Sequence, residues 1–163
     1  MKRILTIITF LIIMVVCLNA EGVKTIKIDA VRTDDKVKIG VVLGYPTGLT
    51  AGWSLSDSFE LNLVVATHYT DFTVGVLPMF TVVNLNIADE IFPLSIGPAA
   101  YLNISWWGGI DLDILGNVRI EYSFKQIPLN LFLEGGLGIK LDLGNTPLVY
   151  PQGSGALGVR YIF

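Results

Sequence analysis

The chain has 163 residues and a mass of 17.8 kDa, one domain's worth of material. Its net charge of −3 leaves no basic footprint for nucleic acid. With 52% hydrophobic and 15% charged residues it is apolar for a soluble domain, yet no run of about 20 apolar residues follows the N-terminus, so transmembrane helices are not where that apolar content lies.

Residues 1–20 read as a secretory signal: Lys2 and Arg3, then the apolar Ile4 to Val16, then Leu18-Asn19-Ala20 as a cleavage site before Glu21. The single cysteine, Cys17, falls inside that segment. Val16 is too large for the residue before a lipidated cysteine, and the segment is short for a permanent anchor. Residues 21–35 are polar and mixed and read as a periplasmic lead-in, with Val23 to Ile28 as the place for a short extra strand.

From Lys36 to Phe163 the chain alternates strand and turn. Val37, Ile39, Val41 and Leu43 alternate with Lys36, Lys38, Gly40 and Val42, and Tyr45-Pro46-Thr47-Gly48 turns. Leu49 to Leu55 returns, Ser56-Asp57-Ser58 turns, and Phe59 to Ala66 alternates again toward His68. Phe72 to Ile87 is longer, and its apolar parity flips at Val82-Val83, which predicts a bulge. Phe92 to Trp106 follows the turn at Ala88-Asp89-Glu90.

Ile110 to Phe124 and Leu129 to Leu143 are the clearest pair, with Leu, Ile and Val on one parity and Asp, Asn, Arg, Glu, Gly and Lys on the other. Each runs to roughly 15 residues, more than the 9–11 a tilted strand needs to cross a bilayer. Gly144 to Gln152 reads as the longest loop and Gly155 to Phe163 as the last strand. The expected fold is all-β, a closed antiparallel up-and-down transmembrane barrel of about eight strands.

Alternation alone allows either a soluble barrel with its apolar face inward or a membrane barrel with it outward. The polar face carries Gly40, Gly44, Gly75, Gly97, Ala99, Gly136, Gly138 and Gly158, small residues that suit a crowded narrow lumen and not a solvated strand. The apolar face therefore points to lipid. Trp53, Phe92, Trp106, Trp107, Tyr122 and Phe124 fall near strand ends, where aromatic girdles belong. Leu157, Val159, Tyr161 and Phe163 share one face of the last strand, and a terminal aromatic closing such a strand resembles an outer-membrane sorting signal read by the barrel-assembly machinery. Pro78 and Pro98 fall inside strands, where bulges are the expected way to absorb them.

Several blocks resemble a family of small bacterial outer-membrane barrels of unknown function, best known from spirochaetes. They are Ile39-Gly40-Val41-Val42-Leu43-Gly44-Tyr45-Pro46-Thr47-Gly48-Leu49-Thr50, Pro93 to Gly97, Pro128 to Glu134 and Gly158 to Phe163, in order along the chain. Gly52 departs from the pattern, standing where the resemblance implies a lysine. The resemblance implies an eight-stranded outer-membrane barrel and hands over no catalytic residue.

The chemistry-bearing residues are few. His68 is the only histidine, and no serine partner lies near it, so no catalytic, cofactor-binding or metal-binding residue is assigned. Asp111 and Asp113 share one face, and Lys140 is expected across the strand pair to neutralise Asp111 inside the lumen. The one cluster expected is structural: Glu134 between Arg119 and Arg160. A turn at Lys125-Gln126 places Asn117 opposite Glu134, and a turn through Gly144 to Gln152 places Gly136 opposite Arg160.

The functional expectation is a monomeric outer-membrane barrel with a side-chain-filled polar lumen and a structural or surface-interaction role, surrounded by outer-membrane lipid, with any surface ligand unidentified. The alternatives are a narrow conduit for small or hydrophobic solutes and a lipid-modifying enzyme. Both termini are expected in the periplasm, with the turns near Pro46, His68, Trp107 and Asn145 outside the cell and those near Asp57, Asp89 and Gln126 inside.

Overall fold

The structure is a computed structural model that describes residues 37–68, 71–87, 90–144 and 148–163. The expected leader over 1–20 and the lead-in over 21–35 lie outside those residues. Eight strands follow one another: β1 (Val37–Tyr45), β2 (Thr47–Ser56), β3 (Phe59–His68), β4 (Asp71–Ile87), β5 (Glu90–Ser105), β6 (Ile110–Ser123), β7 (Leu129–Asp142) and β8 (Leu148–Ile162). Each pairs antiparallel with its neighbours, and β8 returns to β1 through Arg160↔Gly40, so the sheet closes into a barrel. No helix occurs among the described residues. The strand ends at Tyr45 and Thr47, His68 and Asp71, Ser105 and Ile110, and Asp142 and Leu148 gather at one end of the barrel. Those at Ser56 and Phe59, Ile87 and Glu90, and Ser123 and Leu129 gather at the other, with Val37 and Phe163.

Period-two alternation sorts the side chains as the sequence predicts. Each strand sends large apolar residues outward, among them Leu43, Leu49, Val65, Val76, Ile96, Ile114, Leu137 and Leu157 in order from β1 to β8, all exposed. The inward parity holds the buried residues: Lys38, Asn62, Asn117, Arg119, Glu121, Asn130, Glu134 and Arg160 beside Val42, Val64, Leu77, Met79, Ala99, Leu115 and Ala156. The lumen is packed with side chains, polar toward the terminal end and apolar toward the β3–β6 side of mid-height. Small residues make that packing fit. Gly75 faces Tyr101 and Gly158 faces Phe132 across their ladders, and in both pairs a Cβ would strike the aromatic ring.

The bulge lies where the parity flip put it, between Thr81 and Val83 in the β4–β5 ladder. Three expectations need correction. The last strand begins at Leu148 and pairs along Leu148 to Gln152, so the loop there is far shorter than expected. In β6–β7 the turn is longer than Lys125-Gln126, because pairing stops at Ser123↔Asn130. Arg119 therefore faces Glu134 directly, and Asn117 faces Gly136. Pro78 and Pro98 are not absorbed by bulges. The β4–β5 register passes from Val76↔Ala100 to Phe80↔Ile96, which sets the two prolines across from each other in one interruption of the ladder. The ladders on their other sides continue through Leu61↔Pro78 and Pro98↔Gly116, so both missing N–H donors are lost at the same place.

Candidate functional site: the lumen charge cluster

Among the described residues the densest group of charged side chains is inside the barrel at the terminal end. Arg119 from β6 sends Nε and Nη2 to Glu134 Oε2 from β7, at 2.9 and 2.7 Å. Its Nη1 reaches Glu60 Oε1 of β3 at 3.3 Å and Asn62 Oδ1 at 2.9 Å, with Glu121 Oε1 at 3.7 Å. Arg160 from β8 donates Nη1 to the same Glu60 Oε1 at 2.8 Å and the same Asn62 Oδ1 at 2.7 Å, and its Nη2 is 3.0 Å from Glu121 Oε1. Its Nε and Nη2 also bond Asn130 Oδ1 at 2.9 and 2.8 Å. Lys38 from β1 closes the set, bonding Glu60 and lying 3.3 Å from Glu121 Oε2.

The cluster brings together three carboxylates (Glu60, Glu121 and Glu134) and three cations (Lys38, Arg119 and Arg160), so its formal charge cancels. Both arginines are essentially without solvent exposure, at 1% and 0%. A lone charge taken this far from water costs several kcal/mol, and only mutual pairing with hydrogen bonds to the remaining donors offsets it. Both guanidinium groups also lie over the ring of Phe132, with Arg119 Cζ 4.6 Å and Arg160 Cζ 4.7 Å from its centroid. Gly52 also belongs to this arrangement. A side chain there would begin 3.0 Å from Arg160 Nη1 and 3.1 Å from Glu60 Oε1, and the lysine of the lumen comes instead from Lys38, its direct ladder partner.

Arg119 and Glu134 are joined as expected, but Arg160 is not Glu134's second partner. The β7–β8 register separates them: it pairs Arg160 with Asn130 and Gly136 with Ser154, which carries Arg160 toward the terminal end and onto Glu60 and Glu121. Lys38, Glu60 and Glu121 were missed as members, although all three lie on the polar parity of their strands. Lys140 does reach Asp111, at 2.7 Å, though along a diagonal, since its ladder partner is Asp113. Asp113 is buried beneath it and accepts from Tyr45 Oη and Asn103 Nδ2, each at 3.0 Å. Leu157, Val159, Tyr161 and Phe163 all point outward.

Comparison with protein-family models, curated proteins and solved structures finds no match. What the cluster can do chemically is limited. Its carboxylates are bound to cations and its arginines to carboxylates and amides. Among the described residues no group of three or more His, Cys, Asp or Glu side chains is placed to hold a metal ion. The arrangement ties five strands, β1, β3, β6, β7 and β8, through the centre of the barrel.

Proposed function

We propose that the chain is a small integral outer-membrane barrel protein with a structural or surface-interaction role and a lumen sealed by its own side chains. The observation that carries this reading is the outward face. All eight strands present large apolar side chains there, and many are about half exposed, such as Leu133 at 56% and Leu157 at 52%. Burying one such side chain is worth about 1.5–3 kcal/mol. Leaving one on every strand in water would forfeit a sum comparable with the roughly 5–15 kcal/mol that holds a domain folded. Lipid removes that penalty, and closure satisfies the backbone without an edge.

The strand ends support the same reading. Phe59–Phe80, Phe92–Tyr122–Phe124 and Tyr161–Phe163 form ring contacts toward the terminal end, with centroids 4.7 to 5.2 Å apart, and Trp106 and Trp107 are exposed at the other. The outward Leu157, Val159, Tyr161 and Phe163 suit recognition by the barrel-assembly machinery. The likeness to small spirochaetal outer-membrane barrels, read from sequence blocks, points the same way. The neutral, fully paired cluster disfavours an open conduit, because it fills the lumen where a solute would pass, and it offers no activated group for a lipid-modifying enzyme.

Fractionation of expressing cells tests the reading. The protein is expected in the outer-membrane fraction, resistant to alkaline extraction and migrating differently on gels before and after boiling. Recovery as a soluble periplasmic protein would overturn it.

A further inference from the structure

The wall between β4 and β5 is interrupted at mid-strand. Its ladder stops at Val76↔Ala100 and resumes at Phe80↔Ile96, and in the interval Pro78 faces Pro98. Neither proline can donate a hydrogen bond, and in a hydrocarbon surrounding no water replaces what is lost. The wall is also apolar through its thickness here. Val76, Phe80 and Ile96 face outward, and Leu77, Met79 and Ala99 are buried directly behind them. At Arg119 and Glu134, behind Val118 and Leu133, the same thickness ends on charge instead. Gly97 lies against the backbone of Pro78 and adds no side chain to the seam. Met79 is unbranched, with three rotatable bonds, and is the easiest of these to move aside.

We propose that the β4–β5 seam is a lateral port that admits one hydrocarbon chain of a surrounding amphiphile into the apolar side of the lumen, displacing Met79 and Leu77. A hydrocarbon chain fits this path because it would desolvate no polar group on the way and would replace apolar side chains by apolar methylenes. The charged cluster closes the lumen on one side of the apolar patch, and the buried Asp113–Asn103 pair lies on the other. The headgroup therefore stays outside and only the chain enters. The proposal rests on the membrane reading above.

The test is nuclear Overhauser transfer from detergent chain protons to methyl groups of the folded, methyl-labelled protein in micelles. Transfer is expected at the outward methyls of Val76 and Ile96 and also at the lumen-facing methyl of Met79. A disulfide between Val76→Cys and Ala100→Cys, which are direct ladder partners, is expected to abolish transfer to Met79 while that to Ile96 remains. The double variant Pro78→Ala/Pro98→Ala returns two donors to the seam and is expected to weaken the Met79 signal. Transfer at Val76 and Ile96 without Met79 would overturn the port and leave the membrane reading standing. Absence at all three would overturn the membrane reading itself. A Met79 signal that survives both the disulfide and the proline replacements would overturn the seam as the entry point.

Discussion

The ring of Phe132 packs against Gly158, its direct partner across β7–β8, and has the guanidinium carbons of Arg119 and Arg160 4.6 and 4.7 Å from its centroid. One glycine thus sets the position of the ring on which both lumen arginines rest. A methyl group at Gly158 would strike that ring, so Gly158→Ala is expected to destabilise by about 1–3 kcal/mol, the usual range for overpacking. Urea unfolding in detergent or lipid measures it. Phe132→Leu in the Gly158→Ala background should recover part of the loss, because the collision disappears with the ring.

Arg119 and Glu134 should be energetically coupled, while Arg160 and Glu134 should not. Removing one partner of a buried, hydrogen-bonded pair costs about 3–5 kcal/mol, so Glu134→Ala is expected in that range. A double-mutant cycle pairing Arg119→Ala with Glu134→Ala should show strong non-additivity. The same cycle with Arg160→Ala should be nearly additive, since Arg160 makes its ion pairs with Glu60 and Glu121. Equal coupling in both cycles would contradict the geometry described.

The outward face predicts how the barrel tolerates charge. Ile114 is exposed near the middle of the β6 wall. On the membrane reading, Ile114→Arg should cost about 2–4 kcal/mol in lipid vesicles, the range for a cation at bilayer mid-depth. Leu143→Arg, on the same outward parity just past the end of β7, should cost far less. Equal tolerance at the two sites would argue for a water-facing wall.

Much of the fold is legible in the sequence because alternation is a local property. The strands, the outward and lumen parities, the bulge at Val82-Val83 and the pairing of glycine with bulk all follow from it. Register does not. The β6–β7 pairing depends on whether residues 124–128 all belong to the turn, and a difference of two residues leaves every parity unchanged. The start of β8 is concealed because Tyr150-Pro151-Gln152 reads as loop, although all three pair with β7. The cluster was half visible for the same reason. Lys38, Glu60 and Glu121 stand on the right parity, but which charges meet depends on the relative heights of tilted strands, a relation that no single strand's pattern contains. Phe132, an apolar residue on the polar parity of β7, is the ring over which both lumen arginines come to lie.

Topology gives a prediction in cells. Gly109 lies in the turn between β5 and β6, and Gln126 in the turn at the terminal end between β6 and β7. With periplasmic termini, an impermeant thiol reagent on whole cells should label Gly109→Cys and spare Gln126→Cys. The reverse pattern would invert the proposed orientation.

Whether the apolar outer wall faces hydrocarbon can be read at Leu137, which is 80% exposed in the middle of β7. Leu137→Cys would carry a small fluorophore on protein folded into vesicles whose lipids bear bromine along the acyl chains. Strong quenching by the brominated chains together with protection from aqueous iodide is the result expected. Quenching by iodide with no effect of the brominated lipid would contradict the membrane reading.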